Sequence, residues 1–328
     1  MTKILELAPA FLALVTCITY PHVTRAQSDG GAYPSRVVKM IVPYPAGGVT
    51  DIVGRALSEK LTASWAQSVI IENRSGANGI PGTQTVAVAR SDGYTIGLVL
   101  ATHAINPLLY SNLPYNTERD FTPISLVAEY PFLLVVNQAL KATTVPELIA
   151  LARDQPGKIA FASSGNGSGP HLTLELLKTK AGIDLLHVPY KGASPALTDV
   201  AAGHVQGFFS SMLAAQAMLK AGKIRTLAVT SVARSPLLPD VPAVAETVPR
   251  FSMTGWLGLI APAGTPQPVI AKIHADVARI LRESDVRARL SSEGAEPRGT
   301  TPAEFVRFLT AEHDKFAGII RAANVRVD

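Results

Sequence analysis

The chain has one cysteine in 328 residues, Cys17, and it falls near the start. Disulfide scaffolds, multi-cysteine zinc sites and dithiol redox motifs are therefore excluded. Aromatic residues are scarce, at 6%, and no Lys/Arg block interleaves with them. A nucleic-acid surface needs such clustering, so no nucleic-acid partner is expected. The histidines at 103, 171, 187, 204, 274 and 313 show neither H-E-x-x-H spacing nor a comparable metal pattern. No G-x-S-x-G elbow occurs, because Asn166 stands two positions before Ser168. A Ser/His/Asp triad has members far apart in a chain, so it is not excluded, but nothing here points to one. The expectation is a protein without metal, cofactor or catalytic site.

The first 26 residues read as a secretory leader. Lys3 is followed by an apolar stretch from Ala8 to Ile18, then by Thr24-Arg25-Ala26 before Gln27. Small residues at the third and first positions before the cut suit signal peptidase. The apolar stretch falls short of the ~18 residues that span a bilayer, which argues against an anchor. Leu14 ahead of Cys17 offers lipidation as a second reading, though Thr16 is large for that signal. Cleavage after Ala26 would remove the cysteine, and losing Lys3, Arg25 and Glu6 takes the formal charge from +5 to +4. The mature protein would then be exported, without thiols, and stabilised by ordinary burial. At 47% apolar residues it has enough for two cores.

What is present is a repeated alternation of strand and helix patterns. Val37–Val42, Val69–Glu72 and Tyr94–Leu100 read as strands, with helices over Thr50–Leu61 and from Pro81 through Val86–Arg90. A second series begins with Phe132–Val136. It continues through a helix at Val145–Ala152 capped by Thr144, then Ile159–Ala162 and a helix at His171–Lys180 closed by Gly182. Strands at Leu185–Val188, Val205–Ser210 and Ile224–Thr230 complete it. This alternation implies mostly parallel sheets covered on both faces. Prolines 236, 239, 242 and 249 make a stiff connector that cannot be a central strand. Beyond it come a strand at Phe251–Ala261 and helices over Pro266–Leu281 and Pro302–Ala323, the last opened by a Thr301/Glu304 capping box. Too few strands surround these helices for a third sheet, so they are expected to pack on the first domain. The division is then leader 1–26, domain 1 over 27–128 plus 250–328, and domain 2 over 129–249, with two crossovers forming a hinge.

Two glycine turns stand out, Pro43–Asp51 and Ser163–His171, each between a strand and a helix. Such a turn leaves backbone N–H groups free at the positive end of a helix dipole, where an anion can meet them. The Gly47-Gly48 turn lacks the lysine of a phosphate loop and the G-x-G-x-x-G of a dinucleotide site. One reading gives Gly47 and Gly48 only backbone geometry, with Asp51 as a cap, and makes Ser168 a cap in the second turn. The other makes the turns facing cups for a small acid. Ser163, Ser164, Asn166 and Ser168 supply short polar groups to the second cup, and His171 sits in the first turn of its helix. Thr102 and His103 follow a strand at the sheet edge where α/β ligands bind, so they are pocket candidates, although His103 fits a structural role equally well. Tyr190 ends another strand, and Asp199 follows in a helix.

The blocks IVPYPAGGVTDIVGRALSEKL, VIIENRSGANG, DGYTIGL, THAINPLLYSNLPY, ASSGNGSGPHL, HVPYKGASPALTDV and APAGTP, in this order from about Tyr33 onward, resemble the Bug family. Those proteins are extracytoplasmic receptors of tripartite tricarboxylate transporters. The resemblance implies a two-domain periplasmic-binding-protein (Venus-flytrap) fold of α/β class with two crossover segments. It also implies a small organic carboxylate as ligand, and the membrane components of such a transporter as partners. A membrane sensor kinase is an alternative partner, and a periplasmic hydrolase using Ser168, His171 and an acidic residue is a remote alternative activity. Carried over block by block, Tyr44, Ala46, Gly47, Gly48 and Asp51 would line one wall with Thr102 and His103 beside them. Ser163, Ser164, Asn166, Ser168 and His171 would face them, with Tyr190 and Asp199 nearby. Val49 stands where the family often has a third glycine, and its side chain is expected to narrow the mouth.

Overall fold

The computed structural model describes residues 33–292 and 294–327, so the leader and Cys17 lie outside the described residues. The described residues build two sheets. The first uses β1 (Val38–Val42), β2 (Val69–Asn73), β3 (Thr95–Leu100), β4 (Phe121–Pro131), β10 (Thr254–Pro262) and β11 (Glu296–Pro297). Their order is β11-β4-β10-β3-β1-β2. The second uses β5 (Leu133–Asn137), β6 (Ala160–Ser163), β7 (Leu186–Pro189), β8 (Gly207–Ser210) and β9 (Ile224–Val229), in the order β7-β6-β8-β5-β9.

Both sheets follow one plan. β1 lies parallel between β2 and β3, and β6 lies parallel between β7 and β8. An antiparallel strand then joins each trio: β10 beside β3, and β5 beside β8. β10 and β5 are the strands by which the chain re-enters one sheet from the other.

The helices are α1 (Val49–Trp65), α2 (Ile80–Ala87), α3 (Thr102–Leu109), α4 (Val145–Asp154), α5 (Gly169–Ala181), α6 (Ala193–Ala202), α7 (Met212–Lys220), α8 (Gln267–Ile280), α9 (Ser284–Ser292) and α10 (Pro302–Ala323). Their starts follow capping chemistry. Thr144 and Ser168 each accept the N–H three residues on, and Thr301 and Glu304 form the expected reciprocal box. α2 stops at Ala87 rather than reaching Arg90, because the last turn tightens to an Ala89 N–H bond to Val86 O ahead of the Asp92-Gly93 turn. Thr102–Leu109, read only as a segment past a strand, is a helix with Pro107 inside it. α9 and β11 are further elements the pattern did not reveal. α10 packs on α3 and β4 as expected, but also on α5, so it belongs to both halves. Its tie to the first sheet is polar as well as apolar: buried Trp256 donates through Nε1 to Glu312 Oε2 at 2.9 Å.

One apolar cluster runs through the first sheet, past Tyr130 and Phe132, and onto one face of the second sheet. A smaller cluster around Phe208, Leu197 and Ala215 covers the other face. The chain leaves the first sheet at Pro131–Leu133 and returns between Val229 and Thr254. Thr230, fully buried, ties these two passages together. Its Oγ1 donates to Met253 O at 2.6 Å and accepts from Phe132 N–H at 2.8 Å, while its own N–H bonds Phe132 O at 2.9 Å. The Pro-rich connector holds one short 3-10 turn, Val244–Glu246, and a bidentate Arg234–Glu246 pair.

Candidate functional site

In each parallel trio the chain goes to one side of the central strand and then to the other. The crevice at the carboxyl end of such a strand is where open α/β sheets receive ligands. Pro43–Gly48 occupies that position after β1, and Ser164–Ser168 occupies it after β6. In the first half the crevice is spanned by Tyr44, whose Oη lies 2.6 Å from Thr102 Oγ1 and accepts the Leu100 N–H at 3.2 Å. Burial pushes the Tyr44 phenol up to about 12, against the opposing hydrogen bonds from Thr102 and Leu100, so it stays protonated.

The first turn is shaped by Asp51. Gly47, at φ 81°, donates its N–H to Asp51 Oδ2 at 3.0 Å, and Arg55 Nε reaches the same oxygen at 2.9 Å. Asn73 Nδ2 donates to Asp51 Oδ1 and to Tyr44 O, both at 3.1 Å. Burial raises the Asp51 carboxyl, but these hydrogen bonds outweigh it and hold the group below the usual carboxylate range. Asp51 is 4% exposed and folded into its own turn. Gly48 is the residue that precedes α1, so the cap reading for Asp51 is corrected: its carboxylate grips the turn, one residue further back. Among the described residues the N–H groups of Ala46, Gly48, Val49 and Thr50 find no acceptor, as expected at a helix start. Val49 is half-buried and packs in part against the apolar core.

The second turn repeats the device. Gly167, at φ 74°, donates its N–H to the side chain four residues on, His171 Nδ1, at 3.0 Å. Ser168 Oγ donates to Gly165 O at 2.7 Å and caps α5 by accepting the His171 N–H at 3.3 Å. Fully buried Ser163 accepts the Gly165 N–H at 3.1 Å and lies 2.6 Å from His187 Nε2. Ser164, Asn166 and Gly169 keep N–H groups without an acceptor among the described residues. Burial, with His187 and Lys178 adding to it, lowers His171 to about 3; burial and Lys178 lower His187 to about 4. Both rings are neutral at ordinary pH, so the site carries no imidazolium. Beside this turn, Tyr190 Oη donates to Asp199 Oδ2 at 2.6 Å. Burial, then that carboxylate, raises the phenol to about 12.

The two turns share a neighbour, the 3-10 turn Ala77–Gly79. A Cβ on Gly79 would lie 3.2 Å from the Tyr44 hydroxyl, and one on Gly167 would lie 3.4 Å from Asn78 Nδ2. Asn78 Nδ2 donates to Asn166 O at 2.8 Å. Tyr44 and Thr102 on one side and Asn166, Gly167, Ser168 and His171 on the other are therefore brought to one place. Tyr190 adjoins through its backbone, as its N–H bonds Ser163 O at 3.0 Å. The His103 ring stacks edge-on against Phe121, 5.1 Å between centroids, and lines a cavity of about 730 Å³ with His313 and Tyr110, whose Oη accepts from Asn78 Nδ2. Burial lowers His103 to about 4. Sequence reasoning missed Asn73, Asn78 and His187 as parts of the site. For Asn78 a signal existed, since Gly76 and Gly79 flank it in a short polar run and mark a turn.

Residues 53–325 match the family model described as the tripartite tricarboxylate transporter family receptor. The chain belongs to that family. A curated relative, Protein BugT of Bordetella pertussis (strain Tohama I), is 33% identical over 330 residues, spanning 100% of this chain and 99% of its own. The structure is similar to that of R. palustris Rpa4515 with adipate, at TM-score 0.85 and 36% identity, covering 90% of this chain and 99% of that one. It is also similar to the periplasmic binding protein BugD, at TM-score 0.81 and 33% identity, covering 90% and 99% respectively. The fold of this receptor-family chain is thus the two-domain periplasmic-binding-protein fold, and its relatives are solute-binding proteins.

Proposed function

We propose that this protein is a periplasmic receptor that closes its two lobes on a small organic carboxylate and delivers it to the membrane components of a tripartite tricarboxylate transporter. What supports the reading is the pair of equivalent glycine turns, both bordering Asn78–Gly79, with N–H groups at the starts of α1 and α5 that find no acceptor among the described residues. The turn-holding acceptors, Asp51 and His171, take one N–H from each turn and leave the others for a ligand. Hydrogen bonds to a charged group contribute about 1.5–3 kcal/mol each, and a helix start adds about 0.3–2 kcal/mol, so a carboxylate needs no buried arginine here. Adipate in the Rpa4515 structure supports a dicarboxylate as the ligand class. The lobes follow the two sheets, so the crossover expected at 128/129 moves to the end of β4 at Pro131, and the return lies between Val229 and Thr254. The leader pattern at 1–26 supports export.

No chemistry is assigned to the site. The Ser168 hydroxyl gives its proton to Gly165 O, and His171 spends Nδ1 on a backbone N–H, so the pair is not arranged as nucleophile and base. Titration calorimetry and thermal shift against four- to six-carbon mono- and dicarboxylates, adipate included, test the proposal. A ligand at 100 times its Kd should stabilise the fold by about 2.7 kcal/mol. Silence across the panel with an intact fold would overturn the reading.

A further inference from the structure

The peptide unit joining Asn166 to Gly167 is held from both lobes. Its N–H end, on Gly167, bonds His171 Nδ1 at 3.0 Å within the second lobe. Its C=O end, on Asn166, receives Asn78 Nδ2 from the first lobe at 2.8 Å. Asn78 is itself well fixed: Nδ2 also donates to Tyr110 Oη at 3.0 Å, and its backbone O accepts from Asn106 Nδ2 at 3.2 Å. Its backbone is left-handed, φ 52°, a region that asparagine tolerates better than most residues. Leu109 adds an apolar contact, since a Cβ on Gly167 would sit 2.6 Å from its Cδ1.

We propose that Asn78 is a positioning residue that couples lobe closure to the acid site, a role resting on the carboxylate-receptor reading. When the lobes meet, its amide fixes the plane of the 166–167 peptide, and with it the aim of the neighbouring Asn166 N–H. When they part, that peptide is held by His171 alone. Asn78 therefore acts on how long a closed complex lasts, without touching the ligand.

Asn78→Gly removes the amide while keeping the left-handed backbone available. Asn78→Asp keeps size and backbone tolerance but turns an acceptor toward the Asn166 carbonyl. Loss of one neutral hydrogen bond corresponds to about two- to tenfold in a rate or equilibrium. Stopped-flow binding of adipate should show dissociation faster by about that factor in Asn78→Gly, and faster still in Asn78→Asp, with association unchanged. The second readout needs no ligand. Spin labels at Glu59→Cys and Asp184→Cys, exposed positions in the two lobes, on a chain carrying Cys17→Ser, report lobe separation. Both Asn78 variants should shift that distribution to longer distances. Unchanged separation in both variants would overturn the proposal, as would an unchanged dissociation rate. If the parent chain binds no acid but the variants still shift the distances, the acid reading fails and the coupling role of Asn78 stands.

Discussion

The imidazole of His171 lies flat on that of His187, with ring centroids 3.9 Å apart and planes 10° from parallel. Stacked this way, with His171 buried and His187 half-buried, the two rings cannot both accept a proton without placing like charges in contact. Their neutral forms are also the ones the second turn uses: His171 Nδ1 accepts from Gly167, and His187 reaches Ser163. The turn is thus built on a pair that acid disrupts.

The pH dependence follows with a definite sign. Folded-state values of about 3 and about 4 lie below the ordinary 6.5, so folding favours the neutral rings. Their contribution is complete above pH 6.5 and is lost as pH falls toward the folded values, at up to about 1.4 kcal/mol per pH unit for each ring. Urea unfolding at a series of pH values between 7 and 4 should show this slope, and His187→Gln should reduce it. A variant profile identical to that of the parent would remove the histidine pair from the explanation.

Gly48→Val separates binding from folding. Gly48 has φ −79°, and a Cβ there would meet only Pro45 O at an ordinary 3.5 Å, so the backbone tolerates a side chain. The added methyls would nevertheless crowd the unpaired N–H groups at the start of α1. Affinity for an accepted carboxylate should fall tenfold or more, about 1.4 kcal/mol, while unfolding free energy shifts by less than about 1 kcal/mol. Calorimetry and denaturation on the same preparation compare the two, and equal affinity would leave the turn a structural role only.

Asp51 tests the gripping role of the first turn. Asp51→Ala strands the Gly47 N–H, Arg55 and Asn73 together, and should cost about 1–3 kcal/mol along with affinity. Asp51→Asn keeps an amide oxygen for Gly47 and Arg55, sets its amide nitrogen against the Asn73 donor, and should cost less than Ala because the charge lost with the exposed Arg55 contributes little. Thermal and chemical unfolding of both variants would show this order; Asn as damaging as Ala would mean that charge, not acceptor geometry, shapes the turn.

Strand and helix periodicity, the caps at Thr144, Ser168 and Thr301, and the two glycine turns were legible because each is a local signal. A buried β-branched run, a hydroxyl before a helix, or a glycine at positive φ identifies itself within a few residues. The Thr102–Leu109 helix was hidden by Pro107, which reads as a breaker although the helix is short enough to hold it. His103 follows β3, and the turn of α3 carries it against Phe121, a placement that sequence position alone left open between a structural and a pocket role. Asn78 and His187 act through partners 88 and 24 positions away, and no local pattern encodes such pairings.

Thr230 is the strictest test of the hinge. Its hydroxyl serves both passages between the lobes, accepting Phe132 N–H and donating to Met253 O, and all three residues are buried. Thr230→Val replaces the hydroxyl with a methyl of similar size and leaves a buried donor and a buried acceptor unpaired. A loss of about 2–3 kcal/mol is expected, since unsatisfied buried groups cost about 1–3 kcal/mol. Thr230→Ser retains the hydroxyl and should stay within about 1 kcal/mol of the parent. Because the broken bonds lie where both strands cross, the Val variant should also broaden the lobe-separation distribution of the doubly labelled chain, whereas Ser should not. Were Val as stable and as narrowly distributed as the parent, the crossing strands would owe their alignment to the Tyr130–Phe132 packing beside them instead.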